Sequence, residues 1–165
     1  MRKLYTLILL ITLFGVIGII YYFVNSPFTI DNVKIPDNID IYTKVSLEDM
    51  TGVYVENFMD RCKYATYNPE SSLNHVYVCK SKSNPKKSIG LWIDSQIKFL
   101  NQGKMKFLMG ENEINNVKVR TITLSSENCG NPGFCTTYYW KQGRIIFSSN
   151  TLKLVEGFIE NKENA

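Results

Sequence analysis

The first 24 residues differ in pattern from the rest of the chain. From Leu4 to Val24, an apolar run of 21 residues contains no charged side chain. At about 1.5 Å per residue a helix of that length rises about 32 Å, and the hydrocarbon core of a membrane is about 30 Å thick. The pattern therefore predicts a transmembrane helix over residues 1–24.

The flanks of this run indicate a retained anchor and its orientation. A cleaved signal peptide has a shorter apolar region, of about 7 to 15 residues, followed by small residues at the cleavage site. Here the run is longer, and Pro27 follows it closely. Because Arg2 and Lys3 precede the run and acids such as Asp31 follow it, the amino terminus is expected in the cytoplasm. We expect a single-pass protein of the inner (cytoplasmic) membrane whose remaining residues are periplasmic or extracellular.

After the anchor, the pattern predicts a short stalk and one domain. Residues 25–45 are rich in Pro, Asn and Asp, which favours a stalk with an edge strand over residues 29–35. Residues 46–165 suffice for one domain of ordinary size. Its first segment, residues 46–65, has apolar side chains three and four apart and predicts a helix. Gly52 and the Val-Tyr-Val triplet after it favour a strand there instead.

The other elements follow from helical and alternating periods. A second helix begins at a Ser88 cap and ends before Gly103, and a last helix is capped by Asn150. Their apolar faces are predicted to consist of Ile89, Trp92, Ile93, Ile97 and Leu100, and of Leu152, Val155, Phe158 and Ile159. Alternation predicts strands over residues 75–79, 104–109, 117–124, 136–140 and 144–148, the last two joined by a turn at 141–143. The predicted fold class is α+β: a transmembrane helix, then a small disulfide-stapled domain with a mostly antiparallel sheet and two or three helices.

Four cysteines follow the anchor, at Cys62, Cys79, Cys129 and Cys135. An exported domain lies in a compartment where disulfides persist, so two bridges are expected. Proximity along the chain favours Cys62 with Cys79 and Cys129 with Cys135. The other two connectivities stay open, because spacing alone does not decide between them.

Charge and motifs narrow the possible functions. The chain has 19 basic and 15 acidic residues, two of the basic ones before the apolar run, and this mild balance indicates no nucleic-acid partner. No C-x-x-C pair or zinc-module spacing is present, so no metal or other cofactor is predicted. The nucleophile-elbow, zinc-protease, P-loop and dinucleotide motifs are also missing from the sequence, and no catalytic residue is assigned.

The segment between Cys129 and Cys135 is the strongest binding candidate. Two glycines and a proline between bridged cysteines predict a tight, rigid loop, and rigidity reduces the entropy lost on binding. Phe134 is expected at the tip of this loop, with Tyr138 and Trp140 on the strand that follows. Such aromatic residues are enriched at binding hot spots. The alternative is an ordinary stapled turn beside core aromatics.

The anchor, the small stapled domain and the lack of a catalytic signature together favour a binding module. We expect it to recognise or inhibit another envelope protein, as an immunity or assembly factor does. One alternative is an envelope hydrolase or thiol enzyme that uses His75 as its base, although His75 is more simply a partly buried strand residue. Another is a structural subunit of a membrane complex.

The topology can be tested by reporter fusion. A reporter that is active only outside the cytoplasm should be active when fused after Ala165, because Arg2 and Lys3 should hold the amino terminus inside. The matched control is a cytoplasm-dependent reporter at the same position, which should be inactive. The reverse pattern of activities, at equal expression, would contradict the predicted orientation.

Overall fold

Eight strands form one antiparallel sheet. The computed structural model of the chain describes residues 30–50, 57–68, 74–130 and 135–161. The strands are β1 (Asn38–Ile39), β2 (Tyr42–Met50), β3 (Met59–Asn68), β4 (Asn74–Ser81), β5 (Phe107–Ile114), β6 (Val117–Leu124), β7 (Thr136–Gln142) and β8 (Ile145–Ser149). Their order across the sheet is β1-β2-β3-β4-β8-β7-β6-β5, and all neighbouring pairs are antiparallel. Two meanders, β1 to β4 and β5 to β8, therefore join where β4 lies beside β8.

Two α-helices cover opposite faces of this sheet. They are α1 (Pro85–Gln102) and α2 (Leu152–Glu160), and short 3-10 turns occupy Ile30–Asn32 and Ser126–Asn128. The apolar side chains of α1 and those of α2 belong to two separate buried clusters, one on each side of the sheet. We call these sides the α1 face and the α2 face. The predicted α+β class with a mostly antiparallel sheet is confirmed for the described residues.

α1 begins at an Asn-Pro pair rather than at the predicted cap. The side chain of Asn84 accepts a hydrogen bond from the Lys86 amide at 2.9 Å, and a proline occupies the first helical position. Ser88 lies inside the helix, where its buried hydroxyl is 2.7 Å from the Ser81 hydroxyl. The predicted Ser88 cap is therefore wrong. The predicted end is confirmed, since Gly103 is the C-terminal cap.

Large aromatic rings fill the α2 face. Trp140 stacks on Phe147 with ring centroids 5.1 Å apart, and Phe158 of α2 lies 6.4 and 5.9 Å from these two rings. Trp140, Phe147 and Phe158 are each fully buried. Rings of this size remove a large apolar area from water, so this cluster is a main source of the domain's hydrophobic stabilisation.

Two details of α2 differ from the prediction. The helix is capped at Thr151, one residue after the predicted Asn150. Leu152 is exposed, whereas Leu154, which the predicted face omits, is fully buried. The other three residues of the predicted face, Val155, Phe158 and Ile159, are buried, and Leu154 belongs to the same face because it lies four residues before Phe158.

The predicted helix over residues 46–65 is wrong. β2 and β3 occupy its described part as antiparallel strands, and residues 51–56 between them lie outside the described residues. Met50 and Cys62, which helical spacing placed on one face, are instead directly opposed across the two strands. Pairing of β3 with a strand on each side outweighs the local helical period, since tertiary context overrides weak local preference.

The strand predicted over residues 29–35 is also wrong in its described part. Ile30–Asn32 form a 3-10 turn, and Ile30 and Val33 are buried in the cluster of the α2 face. The sheet begins at β1, before residue 46, so this stretch packs with the domain.

The remaining strand predictions are confirmed, with shifts at their ends. Residues 117–124 are β6, and the predicted strands over 75–79, 136–140 and 144–148 lie in β4, β7 and β8. The turn between β7 and β8 consists of Gly143 and the residue after it. Gly143 has φ +53, a backbone conformation that favours glycine. The strand predicted over 104–109 begins only at Phe107 and continues to Ile114.

Both predicted disulfides are present. Cys62 bonds to Cys79 across β3 and β4, and Cys129 bonds to Cys135. The predicted transmembrane segment lies outside the described residues. Within the described ranges, no helix is long and apolar enough to cross a membrane.

A contact between α2 and β1 gives a stability prediction. A Cβ atom at Gly157 would overlap the buried side chain of Ile39. Gly157→Ala should therefore lower the free energy of unfolding by about 1 to 3 kcal/mol, as overpacking does. Gly90→Ala in α1 is the matched control, because nothing lies within 4 Å of its Cβ position and alanine favours helix by about 1 kcal/mol. Urea unfolding of both variants checks this; equal stability of the two would contradict the contact.

Candidate functional site

The stapled loop is held at its base by both neighbouring strands. Beyond β6 and the 3-10 turn at Ser126–Asn128, the Cys129–Cys135 bridge joins Cα atoms 5.6 Å apart. The amide of Leu124 donates to the Cys135 carbonyl at 2.8 Å, which closes the end of the β6–β7 ladder. The base of the loop is therefore fixed. Phe134, its predicted tip, lies among residues 131–134, outside the described part of the chain.

The structure places the other two predicted binding residues on a face of the sheet that a helix covers. Tyr138 and Trp140 both point to the α2 face of β7, where α2 covers them. Trp140 is fully buried in the aromatic cluster, so its ring cannot meet a partner at the surface of the folded domain. Tyr138 is half-buried, and burial, with a smaller contribution from Glu156, raises the pKa of its phenol. Aromatic content alone could not show which face of β7 a helix covers.

β5 forms an open edge beside the stapled loop. It pairs with β6 over all eight of its residues and stands last in the strand order, so its outer side meets no other described strand. Leu108 is 76% exposed and Met109 is 58% exposed. They point to the α2 and the α1 face respectively, because Met109 opposes Ile122, which packs in the α1 cluster. Among the described residues, the outer backbone groups of this edge therefore have no strand partner, and two exposed apolar side chains flank them.

Hydrogen bonds tie the 3-10 turn that precedes the stapled loop to the residue before β5. The Lys106 amide donates to the Asn128 side chain at 2.8 Å, and the Lys106 carbonyl accepts from the Ser125 amide at 2.9 Å. The Lys106 ammonium also lies 3.0 Å from the Glu127 carboxylate. These contacts hold the turn that leads into Cys129 beside the beginning of the edge strand.

The other half of the edge is polar and internally paired. Glu111 forms ion pairs with Lys118 at 2.9 Å and Arg120 at 3.3 Å, both on β6. Hydrogen bonds from these two cations lower the pKa of the Glu111 carboxyl. Its charge is therefore matched within the sheet, and a partner strand meets little unbalanced charge there.

A second candidate site is a pocket on the α1 face. One row of directly opposed side chains crosses seven strands there: Glu48, Tyr64, Tyr77, Ser148, Tyr139, Arg120 and Glu111. Ser148 stands between Tyr77 and Tyr139. Ser148 and Tyr139 are each 3% exposed, so they form the buried floor of a pocket of about 410 Å³. Its size falls within the range of ligand pockets, about 300 to 1,000 Å³.

α1 and the first disulfide complete this pocket. Trp92 meets Tyr77 and Tyr139 edge-on, with ring centroids 6.3 and 5.6 Å away, and Gln96 lies one turn further along the helix. The lining residues are Met50, Met59, Cys62, His75, Tyr77, Cys79, Trp92, Gln96, Thr137, Tyr139 and Ser148. Rings, hydroxyls and an amide therefore surround the same space.

The described lining of the pocket contains no Asp, Glu, Lys or Arg. Burial raises the pKa of the Tyr139 phenol, and burial together with Tyr64 raises the pKa of the Tyr77 phenol. Both hydroxyls consequently stay protonated and uncharged at neutral pH. The pocket thus offers neutral hydrogen-bonding groups.

His75 lies on β4 at the edge of the pocket and is partly buried, as its simpler interpretation predicts. Its ring is 5.4 Å from that of Tyr64 and 5.1 Å from that of Tyr77. A thiol enzyme using His75 would need a reduced cysteine, and all four cysteines are paired. No group of three or more possible metal ligands occurs within the described ranges. The pocket is therefore a candidate binding site.

Sequence reasoning did not single out Trp92 or Ser148 as site residues, and it placed Tyr139 only among the aromatic residues that follow the stapled loop. The sequence shows that tyrosines and a serine occur on these strands. Whether their side chains lie side by side depends on which strands are neighbours in the sheet. No protein-family model, curated protein or solved structure matches this chain. Its function must therefore be inferred from the open edge, the stapled loop and the pocket.

Proposed function

We propose that this chain is a membrane-anchored, extracytoplasmic binding module that recognises another envelope protein, as an immunity or assembly factor does. In this proposal an extended segment of the partner adds to the sheet along β5, beside the stapled loop. The observation that carries the proposal is the open eight-residue edge with Leu108 and Met109 exposed on its two faces.

An edge of this kind is unusual for a protein that has no use for it. Natural proteins blunt edge strands with charged side chains, proline, bulges or shortness, because unpaired backbone groups attract other chains. The first three residues of β5, 107–109, include no charged residue or proline, although Glu111 and Glu113 follow, and β5 pairs with β6 in a continuous register. At the other edge of the described sheet, β1 covers only the first two residues of β2, and a bulge between Lys44 and Ser46 interrupts the uncovered part. Of these two edges, β5 is the better suited to strand addition.

The chemistry of the edge indicates what kind of segment fits. In strand addition, main-chain hydrogen bonds supply affinity and alternate side chains supply specificity. At the loop end the partner's side chains would meet Leu108 on one face and Met109 on the other. Further along they would meet Glu111, whose charge Lys118 and Arg120 already balance. An extended segment with apolar residues toward the loop end fits best.

The predicted anchor and the disulfides support the same proposal. Residues 1–24 would hold the domain at the membrane surface, where its partner must also be found. Two disulfides are typical of domains in an oxidising compartment, and the longer of the two loops they close spans 17 positions of sequence. A rigid domain loses less entropy when it binds.

Site-specific photo-crosslinking in the intact envelope tests the edge. A photoreactive residue in place of Leu108 should give a covalent adduct with one partner protein. The matched control replaces Ile41, which is 68% exposed and lies between β1 and β2 at the opposite edge, and should give no such adduct. Adding Met109→Lys should remove the Leu108 adduct, because a lysine blunts an edge while an exposed substitution changes stability by only about 0.5 kcal/mol.

Two outcomes would contradict strand addition to another protein. An adduct of twice the mass of this chain would show that the edge pairs with a second copy. Equal adducts at positions 108 and 41 would show that neither edge is selective.

The loop is tested with Phe134→Ala. If the ring contacts the partner, this change should leave Tm nearly unchanged and weaken the complex by at least about 2 kcal/mol, or nearly thirtyfold. If the ring packs into the domain instead, its removal should cost about 3 to 5 kcal/mol of stability. Phe99→Ala is the control, because Phe99 is 62% exposed on α1. Thermal unfolding and the yield of the Leu108 adduct distinguish the two results.

A further inference from the structure

We infer that the pocket on the α1 face is a second binding site, which takes an uncharged saccharide ring. This inference does not depend on strand addition at β5, since β6 lies between β5 and the nearest pocket strand, β7. It rests on three properties of the lining: its charge, its mixture of rings and hydroxyls, and the half-exposed side chains at its mouth.

The described lining offers an ionic ligand no carboxylate, ammonium or guanidinium group, and His75 is its one imidazole. Moving a charged group into a cavity is unfavourable unless an opposite charge or several hydrogen bonds replace its water. The described lining has no acidic or strongly basic side chain, and Tyr77 and Tyr139 remain neutral donors because burial opposes their ionisation. A ligand that matches this lining carries no net charge.

The mixture of groups distinguishes a sugar from a hydrocarbon. Gln96, Thr137 and Ser148 place an amide and two hydroxyls in the same cavity as three aromatic rings. An apolar ligand would remove water from Gln96 and Ser148, at a cost of about 1 to 3 kcal/mol for each group left without a partner, whereas Thr137 hydrogen-bonds to Tyr139. A pyranose ring satisfies both parts of the lining, because its C–H face packs on aromatic carbon while its hydroxyls hydrogen-bond at the rim.

The shape of the site allows more than one ring. Tyr64, His75 and Tyr77 form a connected group of half-exposed rings on β3 and β4, with centroids 4.9 to 5.4 Å apart. This group continues from the pocket across the sheet surface that faces solvent. A first sugar can lie at the mouth of the pocket, against the half-exposed Tyr77, Gln96 and Thr137, while a second lies on the rings of Tyr64 and His75.

The lining favours binding over hydrolysis of such a ligand. Glycoside hydrolysis generally uses two carboxyl groups on either side of the scissile bond. The described lining residues include no Asp or Glu. The site therefore holds a saccharide and does not cleave it.

Tryptophan fluorescence gives a direct test. The chain has two tryptophans: Trp92 lines the pocket, and Trp140 is fully buried on the other face. The full chain, in a detergent without a sugar head group, is titrated with cellobiose, maltose and N,N′-diacetylchitobiose. At least one of these should change the emission of Trp92 saturably, and glucuronic acid should not. If no neutral saccharide changes the emission at concentrations up to about 10 mM, the inference is overturned. A dissociation constant above that concentration is too weak for useful binding.

Paired variants locate the site. Gln96→Ala and Tyr77→Phe each remove one hydrogen-bonding group and keep the helix and the ring, so each should weaken binding about three- to tenfold. Asp94→Ala, on the exposed side of the same helix, should bind as the unchanged protein does. Unaltered Tm in all three variants confirms that the fold is intact. Equal affinity of the three variants would place the saccharide elsewhere and overturn the inference.

Two further measurements identify the source of the sugar and distinguish binding at the pocket from binding at the β5 edge. Co-sedimentation with insoluble cell-wall glycan, reduced by Gln96→Ala, would indicate a polymer ligand; disaccharide binding without co-sedimentation would indicate a free saccharide. Both results support the site. If instead no saccharide binds and Tyr77→Phe weakens the Leu108 adduct, the pocket serves protein recognition and the saccharide inference is wrong.

Discussion

The pairing of β4 with β8 is the constraint on which the rest of the domain depends. Each meander is assembled from local hairpins, but this pairing joins segments about 70 residues apart and makes one sheet of two halves. Side chains fix its register at one end, where Thr151 donates to Asn74 at 2.6 Å and Ser149 donates to the His75 carbonyl at 2.8 Å. Closing a loop of this length costs conformational entropy that the buried strands on both sides must offset.

Both candidate sites are consequences of that junction. The register that places Tyr77 opposite Ser148 also aligns Tyr139 on the far side, and this alignment forms the floor of the pocket beside α1. The same strand order leaves β5 at one end of the sheet, with β6 between it and the pocket. Substitutions at the surface of one site can therefore be made without changing the other site.

The two faces of β8 show how one strand serves both core and site. Phe147 points to the α2 face and packs against Trp140 and Phe158, whereas the next residue, Ser148, points to the α1 face and lines the pocket. Side chains alternate between faces in a strand, so a single-residue slip would place the serine in the core and the phenylalanine in the pocket. Register thus controls stability and binding together.

The sequence by itself determined the local elements whose signals lie close together in the chain. It indicated both disulfides by proximity, β6 by its alternating valines and threonines, and the end of α1 at Gly103. It could not identify β2 and β3, because residues 46–65 carry a helical spacing that only pairing with β4 overrides. It also could not tell that Trp140 is buried, since that depends on α2 crossing the same face of the sheet. Those features follow from contacts between distant segments, and the tertiary structure alone decided them, because no local pattern specifies which strands become neighbours.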